Sequence, residues 1–151
     1  MGFAIWVDAD ACPVPIKAVI YRAAERLTIP TTFVANNFLT LPKSAVLRFQ
    51  QVAKGFDVAD HWILQQLQTN DLVITQDVPL AAEVVGLGGL ALNPRGTLYT
   101  HENVRELLMM RNAREAMRDS GEIRGGPPPF NAKDVQKFAQ ALDRVLARRG
   151  R

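Results

Sequence analysis

The sequence predicts an α/β fold, a three-layer sandwich with a central, mostly parallel sheet between helices, and three observations carry that prediction. Short apolar runs alternate with stretches of helical period from Phe3 to Leu92, the rhythm of strand–helix–strand units whose crossovers put helices on both faces. The first run, Phe3 to Val7, is apolar without interruption, as expected of a strand buried on both faces. Two such runs also end alike, in an aspartate followed by a proline suited to open a helix: Asp8 before Pro13, and Asp77 before Pro79. With 151 residues, 48% of them apolar and 22% charged, the chain suits one globular domain and is too short for two ordinary ones.

After the first strand, Pro13 and Pro15 open a helix with Ile16, Val19, Ile20, Ala23 and Leu27 on one stripe. Thr32 to Ala35 reads as a second strand, ended by Asn36-Asn37. A short helix is expected from Pro42 to about Arg48, and a third strand from Phe49 to Ala53. Gly55 breaks the pattern, and Asp57 starts a helix with Val58, Trp62, Ile63 and Leu67 on its apolar side. Leu72 to Thr75 is the next strand, bracketed by Asp71 and Asp77; a helix from about Pro79 to Val85 and a last strand near Leu90 to Leu92 follow. Residues 103–119 and 132–148 are helical in pattern and form a C-terminal extension of the single domain, about 103–148. Between them Ser120 to Asn131, with Gly121, Gly125, Gly126 and Pro127 to Pro129, is predicted to be an extended loop. Arg148 to Arg151 is predicted to be a frayed tail.

Composition narrows the chemistry. No apolar run approaches the ~20 residues that span a bilayer, and the N-terminus lacks the basic start and long apolar stretch of a signal peptide. A cytoplasmic protein with no membrane contact is expected. One cysteine, Cys12, excludes an internal disulfide and a thiolate zinc cage, and two histidines, His61 and His101, are few for an imidazole site. Any metal chemistry must rest on carboxylates, which favours Mg²⁺ or Mn²⁺. The net charge of +3 is uneven: residues 1–100 hold 7 Lys/Arg against 8 Asp/Glu, and residues 101–151 hold 11 against 7. A basic rear behind an acidic front suits a polyanion, and equally describes an ordinary solvated helical surface.

The candidate site follows from strand ends. In an open parallel sheet ligands bind beyond the carboxyl ends of the strands, where strand order reverses. Asp8 closes an apolar strand and therefore faces that crevice, where an aspartate without a partner would be costly. Asp10 has two competing roles, a ligand in the crevice or a cap for the helix that Pro13 opens. Asp57 and Asp60, three apart, share a helix face; one is suited to cap while the other reaches the crevice, and Asp60 is the better ligand. Asp77 repeats the logic of Asp8, with Thr75 offering a hydroxyl nearby. Asp71, before its strand, lies at the opposite edge and is expected to form a turn with Asn70. If Asp8, Asp10, Asp60 and Asp77 converge, like charges ~4 Å apart repel by roughly 4 kcal/mol at an effective dielectric of 20. Such a cluster requires a bound cation or raised pKa values. Cys12 is expected to pack rather than react, because neither histidine is placed to serve as its base.

These motifs resemble the bacterial YaiI/YqxD family, which is usually placed near the PIN-like and NYN-type nuclease domains. The resemblance spans essentially the whole chain and rests on Val7-Asp8-Ala9-Asp10-Ala11-Cys12-Pro13, Val34-Ala35-Asn36, Asp57-Val58-Ala59-Asp60 and Asp71 to Ala82. It continues through Asn93-Pro94-Arg95-Gly96, Tyr99-Thr100, Arg111 and Gly125-Gly126-Pro127. It implies a PIN-like sandwich. In PIN-like nucleases a strand-end aspartate, a helix-borne carboxylate and an aspartate after a later strand hold Mg²⁺ or Mn²⁺. Asp8, Asp60 and Asp77 match those positions by topology, with Asp10 and Asp57 as further candidate ligands. The implied activity is metal-dependent hydrolysis of phosphodiester bonds in nucleic acid, RNA ahead of DNA. The resemblance also directs attention to Asn36 and Arg95 as contacts for substrate, and to Arg111, which either folds over the mouth of the site or pairs with an acid.

Two other functions fit parts of the sequence. An apolar strand followed by Asp-x-Asp opens the phosphatases of the haloacid-dehalogenase type, with Asp8 as nucleophile, although Ala11-Cys12-Pro13 departs from their continuation. A non-catalytic nucleic-acid or protein-binding module is the third.

Overall fold

The computed structural model describes residues 2–121 and 129–149. The glycines and prolines of the expected loop from Gly125 to Pro128, and the tail residues Gly150-Arg151, lie outside the described residues.

The chain alternates as its apolar pattern requires: β1 (Ile5–Asp8), α1 (Val14–Leu27), β2 (Thr31–Ala35), β3 (Leu47–Gln51), α2 (Val58–Gln66), β4 (Leu72–Ile74), α3 (Val78–Gly86), β5 (Leu90–Leu92), β6 (Leu98–Tyr99), α4 (His101–Asp119) and α5 (Ala132–Ala147). The strands form one sheet in the order β3-β2-β1-β4-β5-β6, parallel except for β6, which runs antiparallel to β5. The chain steps outward from β1 through β2 to β3 and then returns to the other side of β1 with β4. The order therefore reverses between β1 and β4.

Because successive strand residues face opposite sides, each strand feeds two cores. Ile5 and Val7 of β1, with Phe33, Leu72, Ile74 and Leu92, pack against Ile16 and Ile20 of α1 and Phe138, Leu142 and Leu146 of α5. On the other face Val34, Val73 and Ala91 meet Ile63 of α2, Leu80 and Val84 of α3 and Val104 of α4. This is the three-layer α/β sandwich. The two C-terminal helices differ within it. α5 buries a full apolar stripe in the first core, whereas α4, capped by Thr100 and Asn103, buries only Val104 and is exposed over most of its second half.

Two expectations are corrected. Pro42 to Arg48 is not helical: Val46 donates its N–H to the Ser44 hydroxyl (3.2 Å), and its carbonyl already accepts from Thr31 of the second strand (2.9 Å). The open edge of β2 captures this segment, so β3 starts at Leu47, two residues before the expected Phe49, and ends at Gln51. Local helical preference yields to a ladder of backbone hydrogen bonds. The second correction is an added strand. Beyond Leu92 the chain turns through Asn93 to Thr97 and pairs back as β6, with Asn93 N donating to Thr97 O and Gly96 N to Asn93 O, both at 2.8 Å. Gly96 has φ 96°, and a Cβ there would fall 2.9 Å from the backbone of Lys137 on α5, so no other residue fits this turn.

Candidate functional site

At the β1–β4 reversal the carboxyl ends of two strands open a crevice, and the sequence puts an aspartate beside each. Asp8 is the last residue of β1. Thr75 follows β4 directly and is 1% exposed; its hydroxyl donates to Asp8 Oδ2 (2.9 Å) and accepts from the backbone N–H of Asp77 (2.9 Å). One buried hydroxyl thus ties the two strand ends together. Asp77 is also the N-cap of α3, with Oδ1 accepting from Leu80 N at 3.0 Å. The capping role and the edge position coexist. Gln76 Nε2 donates to the Ala11 carbonyl (2.6 Å), pinning the loop after β1 to the loop after β4.

α2 brings the third acid. Trp62 packs edge-on against Trp6 of β1 (centroids 5.8 Å apart), which docks the helix on this face with Asp60 in its first turn. Burial pushes the Asp60 carboxyl up to about 7, and the charges of Asp77, Asp8 and Asp57 add to the shift. Burial also raises Asp8; its bond from Thr75 opposes the rise, and the charges of Asp77 and Asp10 reinforce it. Asp8, Asp60 and Asp77 therefore share one electrostatic neighbourhood. Asp57 stands at the N-cap position of α2 with φ 61° but makes no side-chain capping bond; it contacts Asp60 instead.

Of its two expected roles, Asp10 does not take the helix cap: the N-cap of α1 is Pro13. Its carboxylate instead accepts the backbone N–H groups of Asn36 (2.6 Å) and Asn37 (3.4 Å), joining the loops after β1 and β2. Asn36 is thereby fixed at the same edge, its carbonyl accepting from Gln51 Nε2 (3.0 Å) while its side-chain Oδ1 is buried with no hydrogen-bond partner among the described residues. Tyr99 completes the far side: its hydroxyl accepts from Asn93 Nδ2 (2.8 Å), and after burial the charge of Asp77 raises its pKa further. The reading of strand ends did not find Tyr99 or Gln76 as site residues. The only local signal of Gln76 is a polar group just beyond a short apolar strand, and Tyr99 lies in a strand of two residues, too short to show a pattern.

The two arginines are engaged elsewhere. Arg95 lies on the β5–β6 turn, but its guanidinium pairs with Asp134 at the start of α5 (3.0 Å) and stacks over Phe130 (5.1 Å). Arg111 pairs with Glu115 one turn along α4 (3.0 Å) and lines a groove that reaches Val78, the residue after Asp77. Cys12 is buried among apolar residues, with its thiol pushed up to about 12, chiefly by that burial, so it packs and is not an activated nucleophile.

The chemistry of this edge suits a hard divalent cation. Its donors are all oxygens, burial and the neighbouring charges raise the Asp60 and Asp8 carboxyls, and the Asn36 Oδ1 is an orphaned acceptor of the kind that costs about 1–3 kcal/mol unless something satisfies it. Among the described residues no group of three or more acidic, histidine or cysteine side chains is placed so that it could hold a metal ion. No described helix is long and apolar enough to cross a membrane.

Comparison with known proteins follows the same edge. A family model described as an uncharacterised YaiI/YqxD family matches residues 6–148, which include every residue of the crevice. The UPF0178 protein of Aeromonas hydrophila is 56% identical over 144 residues, covering 95% of this chain and 96% of that one. The UPF0178 proteins of Hydrogenovibrio crunogenus (54% over 147 residues, 97% of each chain) and Aeromonas salmonicida (57% over 142 residues, 94% and 95%) are similar along the same span. No solved structure matches the chain.

Proposed function

The chain belongs to the YaiI/YqxD family, and on that premise and the acids of its sheet edge we propose that it is a divalent-metal-dependent phosphodiester hydrolase acting on nucleic acid, RNA ahead of DNA. The observation that carries the reading is the meeting of Asp8, Asp60 and Asp77, from three separate elements, around the strand-order reversal, where burial, reinforced by the charges of Asp77 and Asp8, pushes the Asp60 carboxyl up to about 7. A cation relieves that repulsion. Asp8 and Asp77, held in register by Thr75, would grip it from the two strand ends, and Asp60 would complete the set from α2. Asp10 acts by positioning, since it fixes the Asn36 loop, whose buried Oδ1 has no hydrogen-bond partner among the described residues. When bound, Mg²⁺ or Mn²⁺ would supply Lewis-acid polarisation of a phosphoryl oxygen. The triad of a strand-end aspartate, a helix-borne acid and a later strand-end aspartate is the arrangement that PIN-like nucleases use.

The polyanion finds a path on α4. Arg111, Arg114 and Arg118 are spaced on one side of the helix and line a groove of about 360 Å³ that ends at Val78, beside the cap of α3. Guanidinium groups leading to an acidic, metal-dependent edge suit a chain of phosphates.

The test is paired. Calorimetry should give Mn²⁺ binding to the wild type, and a labelled single-stranded RNA oligonucleotide should be cut in Mn²⁺. Asp8→Asn with Asp77→Asn should weaken metal binding by at least tenfold and reduce cleavage by 100-fold or more. Cleavage that persists in the double variant, or a wild type that takes up no Mn²⁺, would sink the proposal.

A further inference from the structure

Six of the arginines on described elements divide into two classes. Arg26, Arg95 and Arg111 each pair with a carboxylate, Asp143, Asp134 and Glu115 respectively. Arg144, Arg148 and Arg149 have no acidic partner among the described residues, yet all three line one cavity of about 430 Å³ between the C-terminal half of α5 and the β5–β6 end of the sheet. Arg149 spends one donor on the carbonyl of Leu146 (2.6 Å), which holds its side chain against the helix end. The spacing explains the convergence: Arg144, in the last turn of α5, and Arg148, the residue that caps its C-terminus, are one turn apart, flanking Val145, which faces the core.

The other walls are of a different kind. Leu90, the first residue of β5, and Val145 give an apolar surface, and Asn70, in a left-handed turn just before β4, adds one amide. Leu90 and Asn70 belong to the sheet edge where β4 and β5 begin, opposite to the edge of Asp8 and Asp77. The cavity also reaches Gly96 and Leu98 at the β5–β6 turn, but none of its lining residues is one of the acids of the crevice. Its volume is that of a small-molecule site. An uncompensated group of guanidinium ions attracts an anion, and the planar guanidinium both forks onto a phosphate and stacks on a flat ring. Inorganic phosphate would use the arginines and leave the apolar wall in contact with water. A ligand that uses both walls carries a phosphate at one end and a flat, weakly polar body at the other.

We propose that this cavity is a binding site for a mononucleotide, with its phosphate on Arg144, Arg148 and Arg149 and its base against Leu90 and Val145. The site does not depend on the hydrolase reading. Neither its arginines nor its apolar wall belongs to the crevice, so either proposal can fail alone.

Adenosine monophosphate, adenosine and inorganic phosphate, each titrated into the full chain in EDTA and followed by amide chemical shifts, test it. Adenosine monophosphate should saturate in the micromolar to low millimolar range, shift the amides of Leu90 and Val145, and bind at least tenfold more tightly than either phosphate or adenosine. Arg144→Gln with Arg148→Gln, both at exposed positions, should weaken it at least tenfold while leaving the rest of the amide spectrum in place. Asp8→Asn with Asp77→Asn should leave it unchanged. No saturation below 10 mM overturns the proposal, as does equal affinity for phosphate alone. Loss of binding in the aspartate variant would assign the ligand to the crevice instead and overturn it too.

Discussion

The two ends of β4 carry the same residue type to opposite effect. At the start of the strand Asp71 is 2% exposed and its carboxylate accepts three hydrogen bonds, from Ala4 N (3.1 Å), Trp6 Nε1 (3.0 Å) and Gln68 N (3.0 Å). At the other end Asp77 has one capping bond and Asp8 one hydroxyl, and both share their surroundings with Asp60. Asp71 is buried because its charge is satisfied by donors that the fold supplies. The acids of the crevice lie half-buried with fewer donors than oxygens, and burial together with the neighbouring charges raises Asp8 and Asp60. A carboxylate of the first kind holds a sheet together. Carboxylates of the second kind reduce stability where they stand, and this contrast separates the candidate site from the structural edge.

The sharpest way to break the comparison is Asp71→Ala. It strands three donors, one of them the indole of Trp6 on which α2 is docked through Trp62. A loss on the order of 3–4 kcal/mol is expected from unsatisfied groups of this kind, read from the urea midpoint at constant m. A loss below about 1 kcal/mol would mean that Asp71 is no more structural than the acids opposite.

Thr75→Val probes the buried polar link between the two strand ends of the crevice. It removes the donor to Asp8 and the acceptor for Asp77 N at nearly constant volume. The expected loss is about 1–2 kcal/mol, smaller than at Asp71 because the Asp8 oxygen regains water at the open edge. In the same variant the Asp8 carboxyl should titrate higher, since the Thr75 bond is what opposes its rise; carboxyl chemical shifts against pH would report it. An unchanged titration would remove Thr75 from the site.

The contrast also governs how much of the molecule was legible. Asp8 and Asp77 could be read because strand-end placement is local: an apolar run, an acid, then a proline. Asp60 was legible only as a helix-face residue; what brings it to the crevice is the docking of Trp62 on Trp6, 56 positions apart in the sequence. The turn role of Asp71 was visible next to Asn70, but its bond to Trp6 crosses 65 residues and leaves no local trace. The same holds for Arg95, drawn from the edge by Asp134, 39 residues away. β3 was misplaced because an unpaired β2 edge outweighs the preference of Pro42 to Arg48. β6, two residues long, is too short to show a period at all. Sequence patterns reveal what a residue does within its own element, and the pairings between elements decided the rest.

The smallest effect is the most diagnostic, because its sign is opposite to that of an ordinary substitution. The Asp60 carboxyl titrates at about 7 in the folded chain against 3.8 in its ordinary state. Below pH 3.8 both forms are protonated and the residue has no effect. Between 3.8 and about 7 the unfolded chain ionises while the folded one holds its proton, so stability falls as pH rises. Above about 7 the penalty is complete. Asp8, raised as well, adds to the fall. Asp60→Asn removes this dependence. In EDTA the variant should melt about 2–4 °C above the wild type at pH 8, roughly the shift of one kcal/mol in a domain of this size, kept small because water screens the half-exposed carboxyl. At pH 3.5 the two should melt together. Saturating Mn²⁺ should reverse the order at pH 8, since a bound cation stabilises only the chain that retains its ligand. Parallel melting curves across this pH range would show that neither burial nor the neighbouring charges raise the Asp60 carboxyl, and the electrostatic distinction between the two ends of β4 would fall.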